Sequence, residues 1–181
     1  SSAPIRARLH IMRRAALPLL LLLGAAQPPT VLCMSYDERV QLREEVRELF
    51  THSWDSYMEH AFPHDVLLPE SCEGTDAWGG ITLTVLDTLD TLALMGNATE
   101  FERLVRWCID HVDFDQDQTV SVFETNIRAL GGLLSAHLLA IDPRLGLMSA
   151  PYDARGGLLT LALDLGRRLL PALETDSGIP F

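Results

Sequence analysis

Apolar residues recur at spacings of three and four along most of this chain, and that periodicity predicts five helices. The first runs from about Tyr36 to His60. Ser35 followed by Glu38 forms a capping box at its start, and Val40, Val46, Leu49, Phe50, Trp54, Tyr57 and Met58 make its apolar side. Pro63 and Pro69 mark the loop that follows. The second runs from about Ile81 to Met95 and ends at Gly96, a residue suited to the left-handed position after a helix. It is apolar nearly all round, which predicts burial. Its exceptions, Thr84, Asp87, Thr88, Asp90 and Thr91, form a polar stripe. The third runs from about Ala98 to Val112, with Asn97 as cap and Glu100 completing a box. The fourth spans about Val122 to Ile141, and the fifth about Asp153 to Leu170, before Pro171. No segment reads as a strand. The expected class is all-α, built from stacked helical hairpins.

The stretch before the first helix has a different character. Met12 is followed by Arg13 and Arg14, an apolar run from Ala15 to Ala26, and Gln27-Pro28-Pro29. That is the layout of a secretory signal peptide over residues 12–26, with cleavage after Ala26. The run is too short to span a bilayer, so membrane attachment is expected only if the signal stays uncleaved. Residues 1–11 then read as non-native upstream sequence. The other end, Ile179-Pro180-Phe181, stops in mid-pattern, and the chain is expected to be a fragment.

Charge sharpens this picture. The chain has 25 acidic against 14 basic residues, a net charge of −11, and every basic residue is Arg. The absence of Lys excludes Schiff-base and P-loop chemistry. An acidic chain without a basic stripe argues against a nucleic-acid partner. Removal of residues 1–26 would leave ten Arg against the same 25 acids, a net charge of −15.

In a secretory compartment the thiols Cys33, Cys72 and Cys108 meet oxidising conditions. Their odd number leaves one unpaired, or paired outside the chain, and open to a thiol oxidoreductase partner. Cys108 shares a helical face with Phe101, Leu104, Val105 and Val112, which predicts a buried thiol. No CxxC or His/Cys cluster suggests zinc, and no metal ligand is assigned. Asn97-Ala98-Thr99 is a sequon that makes Asn97 a candidate glycosylation site.

One acidic segment supports two readings. From Asp113 to Glu124, acids stand at positions 1, 3, 5 and 12, as Asp113, Asp115, Asp117 and Glu124. That resembles an EF-hand calcium loop, but position 6 is Gln118 where the turn favours Gly, and no partner loop exists. Alternating Asp between helices also reads as plain turn chemistry. From Ser121 onward, Ser121 and Glu124 read as a capping box, and Glu124 and Arg128 as an i,i+4 ion pair. Against those simple roles stands Gly131-Gly132, which costs roughly 1 kcal/mol per Gly inside a helix and so points to close backbone approach. A carboxylate on such a helix, at a cavity wall, is placed to act as an acid.

Five blocks carry a resemblance: Ser56 to Pro63, Thr82 to Leu92, Met95 to Asn97, Ser121 to His137, and Arg168 to Ala172 with Gly178 to Pro180. In order and spacing they resemble the ER degradation-enhancing α-mannosidase-like proteins of glycoside hydrolase family 47, across about Val40 to Phe181. The resemblance implies an (α/α)7 barrel, of which residues 36–181 would form the first helical hairpins, incomplete in this chain. It also implies inverting removal of α-1,2-linked mannose from N-glycans of misfolded glycoproteins in the endoplasmic reticulum lumen, with calcium as cofactor. By the family motif, Glu124 matches the proposed catalytic acid and Arg128 an arginine lining the sugar site. Asp87 and Asp90 match a family signature expected to organise the barrel interior. The other catalytic carboxylates and the calcium-binding threonine lie later in the family pattern, so the chain alone is expected to be inactive. The family commonly reads Asp-Glu-Leu where this chain has Asp65-Val66-Leu67, which is expected to weaken loop anchoring. Two alternatives stay open: a lectin-like glycan binder on the same fold, and the EF-hand-like calcium binder.

Overall fold

The computed structural model describes residues 34–180. The expected signal peptide at 12–26, the upstream residues and Cys33 lie outside them. The chain divides into two units, Ser1–Arg43 and Glu44–Phe181.

Within the first unit, the start of α1 (Tyr36–His60) is set by a complete capping box. The Ser35 amide donates to Glu38 Oε2 at 2.8 Å, and the Glu38 amide donates to Ser35 Oγ at 3.2 Å. The rest of α1 belongs to the second unit, where its apolar side is only half used. Trp54 and Tyr57 are buried, and Phe50 and Met58 pack against the core, but Val46 and Leu49 are 52% and 68% exposed. The expected apolar face is corrected to its C-terminal half. The reason is that packing is delivered through an aromatic chain near the end of the helix. Trp54 and Tyr57 lie 5.6 Å apart, Tyr57 meets Phe62 edge-on at 6.5 Å, and Phe62 reaches Trp107 at 4.9 Å.

After α1 the chain makes a short antiparallel pair, β1 (Val66–Leu68) with β2 (Glu73–Thr75), Leu67 opposite Gly74. Three-residue strands are too short to show a period of two, so the sequence gives no sign of them. The protein is otherwise mostly helical, as expected. This loop is organised by Asp65, which is fully buried. Its carboxylate accepts from the amides of Trp78 at 2.7 Å, Gly80 at 2.9 Å and Leu83 at 3.1 Å. Its carbonyl accepts from the Thr84 hydroxyl at 2.6 Å. The loop anchor therefore rests on Asp65, which the chain keeps, and Val66 lies in β1 where the family pattern has Glu. Tyr57 donates its hydroxyl to the His64 carbonyl at 2.6 Å, and burial with the nearby Asp65 charge raises its pKa.

Helix α2 (Leu83–Leu94) is the buried centre, with Leu83, Val85, Leu86, Leu89 and Leu92 fully enclosed. It begins two residues later than expected because Thr82 sits at φ 59°, ψ 46°. That left-handed conformation is strained for a β-branched residue and is held by the Asp65 network around it. The helix ends as predicted. Gly96 at φ 80° donates to Ala93 O, and Asn97 donates to Leu92 O, the paired bonds of a Schellman motif.

Asn97 Oδ1 then caps α3 (Ala98–His111) by accepting from the Glu100 amide at 3.2 Å. Glu100 spends its carboxylate on Arg103 instead of closing a box. Phe101, Leu104, Val105 and Cys108 are buried, as the spacing predicts. The predicted fourth helix has the expected bounds but is built of α4 (Val122–Thr125), a π turn over Asn126–Leu130, and α5 (Gly131–Ile141). The loop after it is clasped to α3 by Glu102, which accepts from the Ser149 amide and hydroxyl at 2.8 and 2.6 Å. The Ser149 hydroxyl and then Arg106 hold Glu102 down to about 2.

Helix α6 (Leu158–Leu169) starts five residues later than the pattern predicts. Asp153 turns onto the Arg155 amide, and Gly157 at φ 54° breaks the chain direction. The Tyr152 hydroxyl then accepts from the Leu158 amide at 3.3 Å and meets His137 Nδ1 at 2.9 Å. A 3₁₀ turn, Leu170–Leu173, accommodates Pro171.

Two outcomes test this frame. Asp65→Ala leaves the buried Leu83 amide and the half-buried Trp78 and Gly80 bonds without their acceptor and should lower stability by about 3 kcal/mol, read as a large fall in melting temperature by circular dichroism. Exposed Cys72 should react with a thiol reagent in the folded protein. Burial pushes the Cys108 thiol up to about 12, so peptide mapping should find it labelled only after unfolding.

Candidate active site

Glu124 and Arg128 lie on the helix that the π turn interrupts. Both are half-buried, and both stand near a helix pair that crosses at backbone contact. A Cβ built on Gly132 would lie 2.4 Å from Leu86 O and 3.0 Å from Leu86 C. That contact is the close approach the Gly-Gly pair predicts. It belongs to Gly132 alone, since Gly131 has room for a Cβ. A π turn packs an extra residue into the helix and is a recurrent feature of functional sites.

The crossing brings the polar stripe of α2 against this helix in two rungs. Arg128 Nε donates to Asp87 Oδ2 at 2.6 Å. Ser135 Oγ donates to Asp90 Oδ2 at 2.9 Å. Asp87 and Asp90 thus join the two helices. The Arg128 guanidinium also lies 5.2 Å from the centre of the Trp78 ring. Trp78 was invisible as a site residue in the sequence, where its one mark is the Trp-Gly-Gly run before α2. Arg128 and Asp87 are about 30% exposed, so the pair is open to solvent and not sealed in the dry core.

Glu124 takes neither simple structural role. Ser121 Oγ does cap the helix by accepting from the Glu124 amide, at 3.4 Å. The reciprocal half of the box is missing, however, and the expected ion pair to Arg128 is replaced by Asp87. Among the described residues the Glu124 carboxylate makes no hydrogen bond or ion pair.

The EF-hand reading is corrected. Asp113 turns onto the Asp115 amide at 2.9 Å, and Asp115 pairs with Arg168 at 2.9 Å. Among the described residues no three acidic, His or Cys side chains gather around a point that could hold a cation. Asp113, Asp115, Asp117 and Glu124 therefore form no calcium loop. Asn97 is exposed, and its capping bond uses Oδ1, leaving Nδ2 outside the cap.

An apolar groove of about 720 Å³ lies between α4, the π turn, α5 and α6. Phe123, Leu134, Leu163 and Leu170 line it, and its walls hold no carboxylate, so it is not the chemical site.

Residues 49–181 match the model of glycosyl hydrolase family 47. The chain belongs to that family. Among its family-47 relatives, alpha-mannosidase I MNS4 of Arabidopsis thaliana is 52% identical over 80% of this chain and 23% of its own length. ER degradation-enhancing alpha-mannosidase-like protein 2 of Mus musculus is 50% identical over 77% of this chain and 24% of its own. The alpha-1,2-mannosidase from Trichoderma reesei, an (α/α)7 barrel, superposes with a TM-score of 0.68 at 36% identity, over 77% of this chain and 30% of that one. The chain thus spans about a quarter of the curated family-47 relatives it matches.

The Gly132 contact makes a sharp prediction for this site. Gly132→Ala drives a methyl into the Leu86 carbonyl, so the two helices must separate. A loss of about 1–3 kcal/mol is expected by denaturant unfolding, against less than 1 kcal/mol for Gly131→Ala.

Proposed function

We propose that this chain supplies the acid-bearing part of a family-47 α-1,2-mannosidase that trims mannose from N-glycans of misfolded glycoproteins in the endoplasmic reticulum lumen. The observation that carries this reading is the free carboxylate of Glu124. It stands on the same helix as an arginine whose guanidinium is already held by another helix. In an inverting glycosidase one carboxylic acid protonates the leaving oxygen, while a second carboxylate activates water on the opposite face of the sugar. Glu124 is the proposed acid, and Arg128 the proposed sugar-binding residue. The second carboxylate belongs to the remainder of the family domain, and we propose that this chain is inactive without it.

The calcium that the family resemblance implies would be held by a threonine later in the family pattern, and we propose no ligand for it among the residues described here. The names of the relatives, several of them called ER degradation-enhancing, support the cellular setting. The proposed signal peptide at 12–26 and a glycan on Asn97 accord with it.

In the complete catalytic domain, Glu124→Gln should reduce mannose release at least about a hundredfold with an unchanged melting temperature. Undiminished trimming would overturn the assignment. A wild-type domain that binds high-mannose glycan but releases no mannose would replace the enzyme with a lectin-like binder.

A further inference from the structure

We infer that Asp87 is a positioning residue that acts on the sugar through Arg128. This inference rests on the glycosidase reading above. Asp87 Oδ2 takes only the inner Nε–H of the guanidinium, at 2.6 Å, and the Trp78 ring lies 5.2 Å from its carbon. The two terminal nitrogens of Arg128 make no hydrogen bond among the described residues. A guanidinium has five N–H donors in one rigid plane, so holding it by Nε fixes where the others point.

Asp87 is well suited to that task. It projects from α2 between Leu86 and Leu89, both sealed in the core, and the Leu86–Gly132 contact fixes the distance from α2 to the helix of Arg128. The length of the Asp87 side chain therefore sets the position of the guanidinium. The terminal N–H groups are left to bind adjacent hydroxyls of a mannose ring while Glu124, one turn earlier, stays free to approach the glycosidic oxygen.

Asp90 provides an internal control. It sits on the same helix and joins the same partner helix, but through Ser135 and not through the arginine. A purely structural role for these carboxylates predicts similar effects of Asp87→Asn and Asp90→Asn. The positioning role predicts different ones.

The test uses the complete catalytic domain with α-1,2-linked mannobiose as probe. Asp87→Asn weakens a charge-assisted bond to a neutral one and should raise KM and Kd for the probe about tenfold, whereas Asp90→Asn should shift them less than about threefold. In an Arg128→Met background, Asp87→Asn should add no further loss, because both changes break one unit. Nitrogen-15 NMR of the arginine side chains should show a slowly exchanging Nε proton for Arg128 that is lost in Asp87→Asn and kept in Asp90→Asn. Equal effects of the two Asn variants, or additive effects in the Met background, overturn the inference. A wild type that neither binds nor cleaves mannobiose overturns the glycosidase reading and the sugar-facing role together, and the Arg128 Nε signal then separately reports whether Asp87 holds the guanidinium.

Discussion

A single buried carboxylate holds the architecture in place. Asp65 gathers the amides of Trp78, Gly80 and Leu83, so one side chain folds the loop and supplies the acceptor that the first turn of α2 lacks. It holds Thr82 in its strained left-handed state and thereby sets where α2 begins. The start of α2 in turn fixes the register of Asp87 and Asp90 against the helix that carries Glu124. The loop also delivers Trp78 to Arg128. A charge buried beneath the loop, far along the chain from the proposed acid, thus governs where the site residues stand.

Much of this was legible in the residues. Helix bounds were clear wherever a cap announced them: Ser35 for α1, Asn97 for α3, Gly96 for the end of α2. They were obscure where the stop signal was conformational, as at Thr82, or where glycines and an Asx turn delayed the start, as before α6. Gly131-Gly132 announced a close crossing, but one sequence cannot tell which glycine makes it. The ladder of apolar residues on α1 over-predicted burial, because periodicity reports a face and not how much of it meets a partner.

The site was legible in part for a different reason. Glu124 and Arg128 stand four apart, and local reasoning pairs them. The pairing fails because Asp87, 41 residues earlier, reaches the guanidinium first. Long-range ion pairs leave no periodic trace. The same holds for Trp78, whose nearness to Arg128 exists only once Asp65 has folded the loop. In the acidic segment from Asp113 the spacing imitates a cation loop, yet Asp113 is spent on a turn and Asp115 on Arg168.

The apolar groove between α4, the π turn, α5 and α6 has a consequence for how this segment behaves in water. Phe123 is 71% exposed, Leu170 57% and Leu163 52%, an apolar wall left open to water. Crowded solutions make such a wall collide with its own copies. The same wall is favoured for contact with any apolar surface, because burying it releases the water that covers it. Solubility and assembly are thus set against each other on one face of four elements.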